Sequence, residues 1–316
     1  MTTADAREFL ARLAVSQIET DIFSGTCSPA WPGRAFGGQL AAQSLQAAAA
    51  TRGDSNMHPW SLHMYFHAPV RANEPAQYTV DRIRDGRTTA TRGVRVIQDG
   101  KHRATAMALF GTSAAGPTHQ YAPPETLPPH LIAPEERLVH PTIVPPDADF
   151  AALGYPVESL VELRIVESSI TDAAPDADPH SDTDPSARPN TAAEDHHDAT
   201  TARKIDFSRQ VWLRVLPDLP DDPITSATTM TYLADVTLGT TALTPHGGRW
   251  ATTDLQLGAV ELALWFTGPA RLSDWTLFTQ DTAFTGRGHG LAHGVFYNSE
   301  GELCGLAMQN ALMRRR

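Results

Sequence analysis

The chain writes one strand-like phrase twice. "LHMYFHAPVR" runs from Leu62 to Arg71, and "LALWFTGPAR" runs from Leu262 to Arg271, 200 positions later. Leu62, Phe66, Pro69 and Arg71 recur in register, with an aromatic in the same slot as Tyr65 and Trp265. The offset holds through Thr79, Asp81, Gly86 and Arg87, which match Thr279, Asp281, Gly286 and Arg287. One inserted residue then brings Gly100 onto Gly301 and Met107 onto Met308. The preceding segments also fall in line, "GGQLAAQSLQA" from Gly37 against "ADVTLGTTALT" from Ala234. A shared order of one helix and four strands marks an internal duplication. It restricts the chain to two copies of one layered unit, each a helix cradled by an antiparallel sheet.

Local patterns fill in that unit. Phe9, Leu10, Leu13 and Ile18 have helical spacing and predict a short amphipathic helix over residues 5–19. The alanine-rich run from Gly37 to about Thr51 predicts a helix whose small side chains admit close neighbours on several sides. "WSLHMYFHAP", "AQYTVDRIRDG", "TTATRGVRVIQDG" and "KHRATAMALF" read as a meander, with Asp-Gly pairs as hairpin signals. Proline crowds residues 114–147, where it removes ladder donors, and a short helix is expected near 147–153. Strand character resumes at "VESLVELRIVES" and "SRQVWLRVL"; "TTMTYLADVTLGTTALTPHG" reads as helical, and four more strands follow. The domains expected are residues 1–113, a connector over 114–150, and residues 151–316.

Composition narrows the function classes. The 316 residues are 41% hydrophobic and 19% charged, enough for a real core. Much of the net charge of −11 sits between Asp172 and Thr200, where eight acids face only Arg188. This predicts a disordered acidic insert over 171–204, carried as a long loop inside the second domain. No basic footprint for nucleic acid is present. No apolar run of 18 residues predicts a membrane span, and the N-terminus lacks the pattern of a signal peptide. Two cysteines, Cys27 and Cys304, make no disulfide framework, so a cytoplasmic protein is expected. The pairs His63/His67 and His289/His293 would bind metal on a helix, but on strands they stand too far apart; no metal and no cofactor is expected.

A duplicated fold shows its function where the copies differ. The second copy of the helix match opens on Ala234-Asp235 in place of Gly37-Gly38. Gln309 replaces Ala108 on the last strand, and Glu261 replaces Ser61 on the long strand. Strict alternation places Ala259, Glu261 and Ala263 on one face and Val260, Leu262 and Leu264 on the other. Together these differences predict one polar site per chain, at a helix N-terminus whose free N–H groups polarise a carbonyl.

At this point "GRAFGGQLAAQSL", "YLADVTLGTTALTPHG", "LWFTGPARLSDWTLF" and "GVFYNSEGELCGLAMQNALMR" resemble the type II, TesB-like acyl-CoA thioesterases. The resemblance runs from about Leu10 to Met313 and fails over the acidic insert. It implies an α+β tandem (double) hotdog fold and hydrolysis of fatty acyl-CoA by a water molecule held by Asp, Gln and a Thr or Ser. By position the Asp is Asp235 and the Gln is Gln309. The hydroxyl position falls on Ala259, a departure from the family pattern, with Glu261 or Thr237 as possible substitutes. The resemblance further implies an acyl-CoA substrate; the cationic stretch "RIRDGRTTATRGVR" offers Arg84 and Arg87 for the CoA phosphates, Gly37 and Gly38 are placed on the CoA side, and exposed sheet edges predict a homo-oligomer. Two alternatives stay open here: an acyl-CoA-binding protein without hydrolysis, and an enoyl-CoA hydratase pairing Asp235 with His246.

Overall fold

The computed structural model describes residues 3–31, 34–53, 56–132, 160–167, 208–246 and 255–315. Helix α1 (Thr3–Leu13) buries Phe9 and Leu13 and stops there, short of the 5–19 expected. The following residues are taken by a hairpin instead. Strand β1 (Ser16–Glu19) pairs antiparallel with β2 (Ile22–Thr26), and Asp21 in the tight turn takes a φ of +58°. A small separate hairpin, β3 (Pro29–Trp31) and β4 (Arg34–Ala35), leads into α2 (Gly37–Ala50). Helix α2 is buried nearly all round, with Ala41, Leu45 and Ala48 in the core, as its small side chains require.

Strands β5 (His58–Phe66), β6 (Pro75–Asp85), β7 (Thr89–Gln98) and β8 (Lys101–Gly111) form the expected meander. Asp99 and Gly100 both take positive φ in the β7–β8 turn, the demand that selects Asp-Gly there. The second half repeats the plan with β9 (Val161–Glu167), β10 (Arg209–Val215), α3 (Pro223–Thr241), β11 (Leu255–Phe266), β12 (Thr276–Gly286), β13 (His289–Tyr297) and β14 (Leu303–Arg315).

Twelve strands make one sheet in the order β1-β2-β6-β7-β8-β5-β11-β14-β13-β12-β10-β9. Read inward from its two edges, the halves correspond strand for strand, and β5 meets β11 at the centre. At this seam Glu261 pairs with Tyr65 and Trp265 with Ser61. Moving each residue by the sequence offset turns one pair into the other, so a pseudo-twofold axis passes through the seam. Each half therefore has six strands rather than the four of the repeated meander. The extra pair, β1–β2 or β9–β10, extends each edge. The tandem hotdog arrangement expected from the sequence is the one observed.

The first part of the proline-rich stretch lies against the second half. Gln120 Oε1 accepts from Leu303 N at 3.0 Å, and Leu127 O accepts from Trp212 Nε1 at 2.8 Å. The helix expected near 147–153 and the acidic insert at 171–204 lie outside the described residues. Among the described residues no helix is long and apolar enough to cross a membrane.

Candidate active site

Helix α3 begins eleven residues before Ala234. Its N-cap is Asp222, whose Oδ1 accepts from Ile224 N at 3.0 Å and Thr225 N at 2.9 Å, with Pro223 at the first helical position. Asp235 is therefore deep inside a helix, not at its start, and the local N–H groups around it are used by the helix itself. The expectation of an oxyanion site at the N-terminus of Asp235's own helix is corrected.

A free helix end does face Asp235, and it comes from the other half. Helices α2 and α3 pack antiparallel, so Gly38 meets Asp235 while Gln46 meets Thr228. Gly38 N donates to Asp235 Oδ2 at 2.7 Å. The first turn of α2 carries no acid, and its N-cap Phe36 supplies no side-chain cap. The glycines are needed for the approach. A Cβ on Gly37 would lie 2.8 Å from Asp235 Oδ2, and one on Gly38 would lie 2.7 Å from the backbone oxygen of Tyr232. Gly37 and Gly38 thus let the first helix approach the Asp235 carboxylate.

Gln309 completes the pair. It sits on the inner face of β14, opposite Leu262 and Ala292, and its Nε2 donates to Asp235 Oδ1. Gly239, one helical turn beyond Asp235, leaves the room: a Cβ there would lie 3.1 Å from Gln309 Oε1. That oxygen is buried and has no hydrogen-bond partner among the described residues. Asp235 is 6% exposed and Gln309 3%. Burial pushes the Asp235 carboxyl up to about 6, against the opposing pull of the hydrogen bonds from Gln309 and Gly38. Both side chains open onto a cavity of about 290 Å³, walled by Gly37, Leu40, Phe66 and Ala259 among others.

Ala259 reaches this cavity because the strand is not regular. Ala259 pairs with Ala311 and Glu261 with Asn310, leaving Val260 as an extra residue in a β-bulge. The bulge moves Ala259 onto the inner face with Leu262 and Gln309, and the face assignment from strict alternation is corrected. Glu261 stays on the outer face. Tyr65 donates to its carboxylate, which raises the Tyr65 phenol, and Glu261 is not among the cavity's lining residues. Thr237 is also occupied elsewhere, accepting from Gln280 Nε2. Neither replaces the hydroxyl that Ala259 lacks.

Arg84 and Arg87 lie away from the cavity. Their hairpin turn is beside Gly111 and Thr112, at the end of the sheet where β5 begins with His58. The cavity is at the other end of β5, around Phe66, about 25 Å away at strand rise. At the His58 end is the pseudo-symmetric mate of the cavity, about 250 Å³, walled by Pro223, Ala227, Met230 and Phe266 among others and without carboxylate or amide side chains. The helix end there is already capped by Asp222.

A tandem helix-in-sheet protein whose two halves share one twelve-stranded antiparallel sheet has the double-hotdog fold. Two family models match the chain, the acyl-CoA thioesterase N-terminal domain over residues 27–111 and acyl-CoA thioesterase over residues 181–312. Acyl-coenzyme A thioesterase 8 of Homo sapiens is 25% identical over 307 residues, covering 96% of this chain and 87% of the relative. The acyl-CoA thioesterase II TesB2 of Mycobacterium marinum has a TM-score of 0.72 at 28% identity, over 97% of this chain and 98% of that one. A hot dog fold protein of Alicyclobacillus acidocaldarius has a TM-score of 0.70 at 20% identity, over 99% of both chains, a likeness of fold. The chain belongs to the type II acyl-CoA thioesterases.

Proposed function

We propose that the chain hydrolyses the thioester of fatty acyl-CoA with a water molecule held between Asp235 and Gln309. The observation that carries this reading is the orphaned Gln309 Oε1. It is a buried acceptor beside a carboxyl of raised pKa, on the wall of a cavity. A water there donates one hydrogen bond to each side chain. Asp235, as general base, takes its proton while the oxygen attacks the thioester carbonyl carbon. The N–H of Gly37, which helix geometry leaves without an intrahelical acceptor, faces the developing oxyanion from the end of α2. Collapse expels the CoA thiolate, which takes the proton back from Asp235, and the acid departs.

The experiment is free-thiol release from acyl-CoAs of increasing chain length, by wild type and by Asp235→Asn. Hydrolysis by the variant at the wild-type rate would remove the proposed base. Tight acyl-CoA binding with no thiol release in the wild type would select a carrier instead. For hydration of enoyl-CoA, His246 would have to serve Asp235, and it is not among the cavity's lining residues. A homo-oligomer is part of this reading. Its support is the outer face of the sheet at the seam, where Tyr65, Met107 and Met308 are exposed together. Sedimentation velocity showing a monomer at micromolar concentration would remove it. A cytoplasmic site of action completes the reading, tested by cell fractionation.

A further inference from the structure

We propose that the phosphates of the CoA nucleotide are held at the lip of the catalytic cavity by Arg34, with Arg103 behind it, and not by the Arg84/Arg87 hairpin. This inference rests on the thioesterase reading above for its ligand and on separate residues for its argument. Arg34 and His67 line the cavity that holds Asp235. Arg34 sits on β4, bridged across to Arg71, while the backbone N–H of Ala35 donates to Val70 O at 2.8 Å. The backbone N–H groups of His67 and Ala68 both donate to Arg103 O, at 2.8 and 3.1 Å. The β4 strand, the segment after β5 and the β7–β8 turn therefore form one rim.

The charges on that rim are unequal. Arg71 is neutralised, with Glu74 on its Nη2 at 2.7 Å and Asp99 on its Nη1 at 2.5 Å. Arg103 shares the same Asp99 only at 3.6 Å, and its buried Nε has no hydrogen-bond partner among the described residues. Arg34 makes no ion pair among the described residues. With Lys101 on the same turn, four cations face two carboxylates, in a chain whose net charge is −11. A local surplus of positive charge on an acidic protein, at the mouth of a thioester cavity, suits the one strongly anionic part of the substrate. At the far end of α2, Arg82 is bound to Asp21 and Arg92 to Asp85, and the Arg84/Arg87 hairpin stands about 25 Å from the cavity.

The test compares two thioesters with the same acyl group, octanoyl-CoA and octanoyl-N-acetylcysteamine, which has no phosphate. In Arg34→Ala the ratio of kcat/KM for the first to that for the second falls about tenfold, the value of one charge-assisted contact. Arg34→Lys recovers part of it. With the wild type, 3′,5′-ADP inhibits octanoyl-CoA hydrolysis competitively, and added salt weakens that inhibition. A ratio within twofold of wild type, or no competition by 3′,5′-ADP, overturns the proposal. Should the wild type hydrolyse neither thioester, the functional reading fails by itself. Calorimetric titration of CoA then decides the anion site, which stands if Arg34→Ala weakens binding about tenfold and falls if it does not.

Discussion

Asp235→Asn should cost the enzyme its activity and strengthen its fold. The carboxyl is held near 6 when folded, against an ordinary 3.8. That difference of about 2 pH units corresponds to about 3 kcal/mol against the folded state at neutral pH. The direction follows from proton counts. Between pH 4 and 6 the folded chain keeps a proton on Asp235 that the unfolded chain has lost, so stability falls as pH rises through this window and then levels off. Asparagine removes the penalty without orphaning its neighbours. Its Oδ1 still accepts from Gly38 N, and the Gln309 amide can turn over so that its partnerless Oε1 accepts from the new Nδ2. Urea unfolding of both proteins at pH 4 and pH 7 measures the effect. The variant should exceed the wild type by up to about 3 kcal/mol at pH 7, and the gap should close by pH 4. Its thiol-release rate should drop by about 10²–10⁴. A gap that does not change with pH, or a variant less stable at pH 7, refutes the buried-carboxylate argument whatever happens to the rate.

Other outcomes follow from the same geometry. The pH profile of kcat/KM should rise with an apparent pKa of about 6, since the base works only as the carboxylate; Gln309→Ala should move that limb to higher pH by removing a bond that favours the charged form, and should lower kcat by about 10². Gly38→Ala should lower the melting temperature, because its Cβ meets the Tyr232 backbone at 2.7 Å and overpacking of this kind costs about 1–3 kcal/mol. Ala259→Thr should place a hydroxyl in the cavity and raise turnover in the thiol-release assay; unchanged turnover would mean the missing group has no role. Asp222→Ala should cost about 1 kcal/mol in urea unfolding through loss of the α3 cap, with the rate of thiol release at 25 °C unchanged.

The duplication was readable because hairpin turns and apolar alternation repeat at one offset, and those features are local. Gln309 was readable as a departure from that repeat; Asp235 was readable through the resemblance alone, because α3 starts at Pro223 and sets Ala49, not Gly38, at the corresponding place. What sets their partners was not. The bulge at Val260 inserts one residue into an otherwise regular alternation, and only the pairing with Ala311 and Asn310 exposes it. The early start of α3 had a signal, the Asp222-Pro223 pair, which was outweighed by matching the shorter helix of the first half. Gly239 and the Gly38 N–H gain meaning only when α2 lies across α3, a long-range contact that no local pattern encodes. Arg34 likewise stands in a two-residue strand with no periodicity to mark it.

The helix crossing has a consequence for how such a protein could arise. The helices start at Gly37 and Pro223, so in the fold Gly38 corresponds to Ile224 and Asp235 to Ala49, and the Gly38–Asp235 contact joins positions that are not equivalent. In an unfused homodimer each copy would carry both the acid and the helix end, and the contact would form twice. Joining two copies in one polypeptide lets one of these contacts keep its acid while the other, with Ala49 in the acid's place, does without.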